Sequence, residues 1–147
     1  MARTLGRPRV LVEPDGTEDE LLAGAVDAER GGLAWVAGRA RELRGGRMEV
    51  SFRLCARRGR ESWEWPLETH NPYFGCRVEH LSWQGGELLC VYAEKHGRWA
   101  GAYAPGRPSR RVALSGDWRL KAGVLRCGGE AWRVPGLDPC PPPAGAE

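Results

Sequence analysis

The sequence predicts a mainly β protein. It reads as a sequential antiparallel meander of about eight or nine short strands, forming a small barrel or sandwich with an N-terminal helical segment packed on it. Three observations lead there. From Arg47 onward, apolar residues alternate with polar ones in short runs, the period of a half-buried strand. The runs are separated by Gly-containing turns too short for parallel crossovers, so sequential neighbours pair antiparallel. A hairpin pattern also recurs, in which a strand-like run ends in cysteine, a Gly turn follows and tryptophan opens the return run. Its copies hold Cys55 and Trp63, Cys90 and Trp99, and Cys127 and Trp132, with cysteines 35 and 37 residues apart and tryptophans 36 and 33 apart. A period near 35 marks a supersecondary unit used more than once. Three such units are too few for a propeller of four or more blades. The alternative architecture is therefore a propeller-like fragment completed by a homo-oligomer.

Residues 1–135 are expected to form one domain, with a strand and helical segment over 9–45, the meander over 47–135 and a Pro-rich tail over 136–147. Arg9 to Glu13 reads as a short strand closed by Pro14-Asp15-Gly16. Thr17 to Glu20 has the form of a capping box, and Leu21, Leu22, Ala25 and Ala28 make an apolar stripe. This predicts a helix to about Glu29 that stops at Gly31-Gly32. Leu33 to Arg44 keeps helical spacing at Leu33, Val36, Ala40 and Leu43, and a helix is preferred; a strand over Leu33 to Ala37 is the competing reading.

Met48, Val50, Phe52, Leu54 and Ala56 form the cleanest alternating strand, returning through Arg58-Gly59-Arg60 to Trp63, Trp65 and Leu67. Thr69 to Gly75 is the expected long loop. Arg77 to Trp83 and Leu88 to Glu94 form a hairpin about Gly85-Gly86, whose positive φ angles suit a tight turn. Leu88 to Ala93 shows no alternation, so it should be a central strand covered on both faces, the N-terminal helix supplying one cover. After the turn-rich Pro105 to Arg110, short strands follow over Val112 to Leu114, Trp118 to Leu120, Val124 to Cys127 and Ala131 to Val134.

Composition limits function more than it assigns it. Twenty of the 22 basic residues are arginine, and Gly and Pro are frequent. The codon bias of a GC-rich, bacterial genome accounts for both. Five cysteines exclude a complete disulfide framework, and no apolar run approaches membrane-spanning length, so a reducing cytoplasm and no membrane partner are expected. The glycines match no nucleotide-binding fingerprint, and no cofactor is expected.

Among chemical constellations, Cys76 and His80 are weak metal-ligand candidates, since residues four apart on a strand share a face. Close ligand pairs of zinc spacing are absent from the sequence, so no metal is assigned. With His70, the same two residues would make a Cys-His hydrolase. The clusters Arg39/Arg41/Arg44/Arg47, Arg57/Arg58/Arg60 and Arg107/Arg110/Arg111 suggest nucleic-acid binding as a further alternative. The preferred reading is a non-enzymatic protein-interaction module of the adaptor or inhibitor type. Its partner would be another protein, held by the aromatic loop residues His70, Asn71, Tyr73 and Phe74 together with Arg57, Arg58 and Arg60.

Overall fold

The computed structural model describes residues 2–4, 10–12, 18–42, 44–46, 48–67, 76–94 and 97–140. Among these no helix occurs, and the strands pair antiparallel in three sheets. The first sheet is built on β3 (Glu18–Asp27), β4 (Gly32–Glu42), β5 (Met48–Arg58) and β6 (Glu61–Leu67), with β1 (Ala2–Thr4) and β2 (Val10–Val12) along the free edge of β3. The second is the meander β7 (Arg77–Gln84), β8 (Glu87–Glu94), β9 (Gly97–Tyr103) and β10 (Arg110–Leu114). The third comprises β11 (Arg119–Lys121), β12 (Val124–Cys127), β13 (Glu130–Arg133) and β14 (Asp138–Pro139).

The second sheet is the middle layer, as the side chains of β8 show. Leu88, Cys90 and Tyr92 pack into one core with Ala23, Ala25, Val36, Phe52 and Leu54 of the first sheet. Leu89 and Val91 enter a second core with Leu125, Trp132, Val134 and Leu137 of the third sheet and its flanks. The expectation of a doubly covered central strand holds. Each fully buried Leu contributes about 1.5–3 kcal/mol of transfer free energy, so both faces drive the stacking. The first and second sheets approach along β3 and β7. Among the described residues their far edges, β6 and β10, each have a strand neighbour on one side only.

The expected N-terminal helix is corrected to β3, and the helix over 33–44 to β4. Local propensity favoured helix in E-D-E-L-L-A, but pairing along β3, β4 and β5 overrides it. A register shift between Leu21 and Ala23 brings Leu22 against the core beside Ala23 and Ala25, so the bulge produces the spacing that resembles a helical stripe. Gly31-Gly32 stops no helix; it belongs to the β3–β4 turn, where Gly31 donates to the Asp27 carbonyl at 2.8 Å.

The recurring hairpins are present but not equivalent. Trp63 lies opposite Ala56, Trp99 opposite Tyr92 and Trp132 opposite Leu125, and only the first two share a core. Among the described residues nine strands, β5 to β13, fall within 47–135, in line with the expected eight or nine, and β1 to β4 and β14 are additional to them. Residues 136–140, assigned to the tail, instead carry β14 and the fully buried Leu137; Cys140 donates its amide to the Ala131 carbonyl at 2.8 Å.

Candidate binding cleft

Between the edges β6 and β10 lies a cleft of about 200 Å³, lined by Pro66, Tyr92, Tyr103, Ser109, Arg110 and Arg111. Strand parity builds it. Tyr92 and Tyr103 both point to the first-sheet side of the middle layer. Tyr103 lies across Gly101, where a Cβ would stand 2.6 Å from two of its ring atoms. Trp65 of β6 packs on Tyr103 with ring centroids 5.8 Å apart and a 49° tilt.

On the β10 side, Arg111 places its guanidinium 4.2 Å over the Trp99 ring and donates to the Tyr92 hydroxyl at 3.2 Å. Trp99 is itself positioned by its indole N–H, which donates to Glu94 at 3.3 Å. Burial pushes the Tyr92 phenol up, against the opposing pull of the Arg111 hydrogen bond, so it stays a neutral hydroxyl at physiological pH. Arg110 donates to Asp138 Oδ1 at 2.6 Å and to the Gly136 carbonyl at 3.2 Å, fastening the end of the third sheet to the rim. Among the described residues the lining holds two phenols, a hydroxyl, a proline and two arginines. Those groups can hydrogen-bond and pack on a ligand.

The residues singled out in the sequence fare differently. His70, Asn71, Tyr73 and Phe74 lie outside the described residues. Arg57 and Arg60 are exposed, Arg57 donating to the Gly59 carbonyl at 3.3 Å. Arg58 turns away from them. Its Nη2 lies 3.8 Å from Asp27 Oδ2, and its guanidinium sits 5.3 Å from the centre of the Trp83 ring. Asp27 is buried, its other oxygen accepting from the amides of Glu29 and Arg30 at 3.1 and 3.2 Å. The three arginines therefore do not present one basic patch.

Cys76 and His80 do not converge. The register shifts between Val78 and His80, with Glu79 as the extra residue of a bulge, and the shift reverses strand phase. Cys76 consequently packs on the core between the first and second sheets, while His80 meets Trp118 on the third-sheet side at a ring distance of 6.2 Å. Burial pushes the Cys76 thiol up to about 12, and burial raises Cys90 as well. Neither supplies a thiolate near neutral pH, the form that attacks or ligates. Among the described residues, no three of His, Cys, Asp and Glu gather closely enough to hold a metal ion.

Glu79 has a structural job. It accepts from Arg98 Nη2 at 3.0 Å, from the Trp118 indole at 3.2 Å and from Arg77 at 3.0 Å, with a further short bond from Arg98 Nε. His80 bonds Ser82 Oγ at 2.6 Å, and Gln84 donates to the same hydroxyl at 2.8 Å. These polar groups satisfy one another.

Sequence reasoning did not single out Pro66, Tyr92, Tyr103 or Ser109. One signal was readable: Tyr92 is the one polar-tipped side chain within the apolar run Leu88 to Ala93, and a buried phenol needs a partner. Among the described residues no helix is long and apolar enough to cross a membrane. No family model matches this chain, and no match was found among curated proteins or among solved structures.

Proposed function

We propose that this protein is a non-enzymatic interaction module that takes an extended segment of a partner protein into the cleft between β6 and β10. The observation that carries this reading is the placement of an aromatic-floored cleft between two sheet edges. An edge strand offers a row of unpaired backbone groups, and an extended peptide added to it gains main-chain hydrogen bonds while its alternate side chains drop into adjoining pockets.

The arginines support a protein partner over nucleic acid. Arg53 pairs with Glu64, Arg58 with Asp27, Arg98 with Glu79 and Arg110 with Asp138, so much of the basic charge is used inside the fold. The cores also absorb most of the tryptophan. Trp63, Trp65, Trp83 and Trp99 pack on the first core, and Trp118 and Trp132 belong to the second. The aromatic loop segment 70–75 follows β6 in the chain and extends the same proposal.

The test uses twelve-residue peptides selected from a random display library against the full chain, followed by amide hydrogen exchange with each synthetic peptide bound. The expected result is slowed exchange within 61–67 and 110–114. Selected peptides that protect only other segments, or a library yielding no binder, would overturn the reading.

A further inference from the structure

We infer that the outer face of the third sheet holds the phosphate backbone of a nucleic-acid duplex, through Arg119, Lys121, Arg126 and Arg133, without reading its sequence. This goes beyond the peptide-binding reading above and uses no residue of the cleft lining. Register, charge and the make-up of the face point the same way.

Register places the four cations together. Leu120, Leu125 and Trp132 pack on the second core, so residues of the opposite parity on β11, β12 and β13 stand on the outer face. Arg119 lies directly opposite Arg126, while Lys121 and Arg133 flank Val124 on its two sides. All four are exposed. They form two rows about 6.8 Å apart, twice the rise of a strand, on strands spaced about 4.8 Å. The turns closing the two hairpins are Ala122-Gly123 and Gly128-Gly129, so neither raises a long side chain at the ends of the face.

Charge on this face is unbalanced. Like charges set directly across a ladder destabilise it, and Arg119 with Arg126 is such a pair. No hydrogen bond or ion pair links any of the four to another described residue. The nearby acids are engaged elsewhere. Asp138 shares the face but accepts from Arg110 at 2.6 Å. Asp117 accepts from the Ser115 hydroxyl, and Arg119 is the least of the groups acting on its carboxyl. Glu130 has the parity of Trp132 and belongs to the other side of the ladder. A line of anions laid between the rows relieves this repulsion. The arginines paired inside the fold, Arg53, Arg58, Arg98 and Arg110, are different ones.

The rest of the face selects among anionic partners. Its other described positions on the strands are Val124, Ala131 and Asp138. These offer no ring on which a base stacks and no large anchor of the kind that dominates protein interfaces. A duplex backbone needs neither, and it presents one negative charge per ~1.7 Å of axis. Guanidinium forks take phosphate oxygens in pairs, and such contacts carry no sequence information.

The experiment follows fluorescence anisotropy of labelled DNA and RNA duplexes, of about 24 scrambled base pairs, with the full chain in rising salt. Four phosphate contacts predict a slope of log K against log salt of about −3.6 on DNA, a loss of about a hundredfold between 50 and 200 mM. Arg126→Gln alone should make that slope shallower by about 0.9. The combined variant Arg119→Gln, Lys121→Gln, Arg126→Gln and Arg133→Gln should lose the salt-dependent binding. A control removes equal charge from exposed positions outside the third sheet, as Arg44→Gln, Arg57→Gln, Arg60→Gln and Arg107→Gln. It should bind within about threefold of the native chain, because distant surface charges are screened. Melting curves establish that each variant is folded, and Arg126→Gln serves if the combined variant is not.

Binding to both duplexes upholds the inference, and binding to one upholds it and names the source of the phosphates. Failure to bind either duplex at 50 mM salt overturns it, as does a slope unchanged in the combined variant. An equal loss in the control also overturns it, since overall charge then accounts for the binding. Polyglutamate of matched charge bound as tightly as duplex would make the face a site for acidic protein and overturn it likewise.

Discussion

Gly101 carries no side chain because Tyr103 occupies the space. An alanine there would bring its Cβ within 2.6 Å of two Tyr103 ring atoms, and the ring is confined by Trp65. Gly101→Ala should therefore cost about 1–3 kcal/mol, the usual range for overpacking. That corresponds to a melting point lower by roughly 4 °C per kcal/mol for a chain of this size. In a Tyr103→Leu background the same alanine should be close to neutral, because the clash partner is gone. Equal losses in both backgrounds would refute this packing account. Residue-scale chemistry was only partly readable beforehand. A tyrosine inside an apolar run signals a buried hydroxyl in need of a partner, but nothing local announces that Arg111, nineteen positions on, supplies the bond. Arg58 shows the converse. It sits in a basic run, yet Asp27, brought alongside by the pairing of β3, β4 and β5, draws it under Trp83.

At the scale of elements, the most informative strand is β8. Its lack of alternation implied two covered faces, and adjacent residues do enter different cores, Leu88 the first and Leu89 the second. Leu88→Ala and Leu89→Ala should each cost about 2–5 kcal/mol, as for buried leucines elsewhere. Their effects should add within about 0.5 kcal/mol despite adjacency in sequence, since the side chains share no packing partners. A near-neutral result for either one, read from urea midpoints, would mean that one face is open. Bulges explain where periodicity misled. In β3 a register shift turns Leu22 inward and imitates a helical stripe, and in β7 the extra residue Glu79 separates Cys76 from His80. A bulge inserts one residue without a compositional mark, so a count of four along β7 placed on one face two side chains that lie on opposite ones. The two cover strands for β8 were equally hard to foresee. Ala, Leu and Glu in β3 carry helical propensity, and only long-range pairing decides against it.

For the whole molecule, the joint between the second and third sheets depends on a polar clip that acid should open. The Arg98 hydrogen bonds, aided by those of Trp118 and Arg77, hold the Glu79 carboxyl below its ordinary value of 4.5. The folded state thus takes up this proton less readily than the unfolded chain. The resulting stabilisation is complete above about pH 4.5 and is lost as pH falls through the lower, folded value. His80 adds a loss of the same sign at higher pH. Burial pushes its imidazole below 6.5, so its contribution is complete above that pH and declines as pH falls towards the folded value. Asp117, lowered by its Ser115 hydrogen bond, adds to the acidic limb from the exposed side. Urea midpoints measured from pH 7.5 to pH 3 should decline in two stages, one below 6.5 and one below 4.5. His80→Gln should flatten the first. Glu79→Gln should make the second shallower and lower stability at neutral pH, because Arg98 and Trp118 lose a charged acceptor. Amide exchange at acid pH should quicken over 119–133 ahead of β4 and β5, since this clip is one of the polar ties, beside the Arg110–Asp138 pair, that hold the third sheet over its core. A midpoint level between pH 7 and pH 5 would remove the role assigned to His80. Simultaneous loss of protection in all three sheets would show that the third sheet does not open on its own.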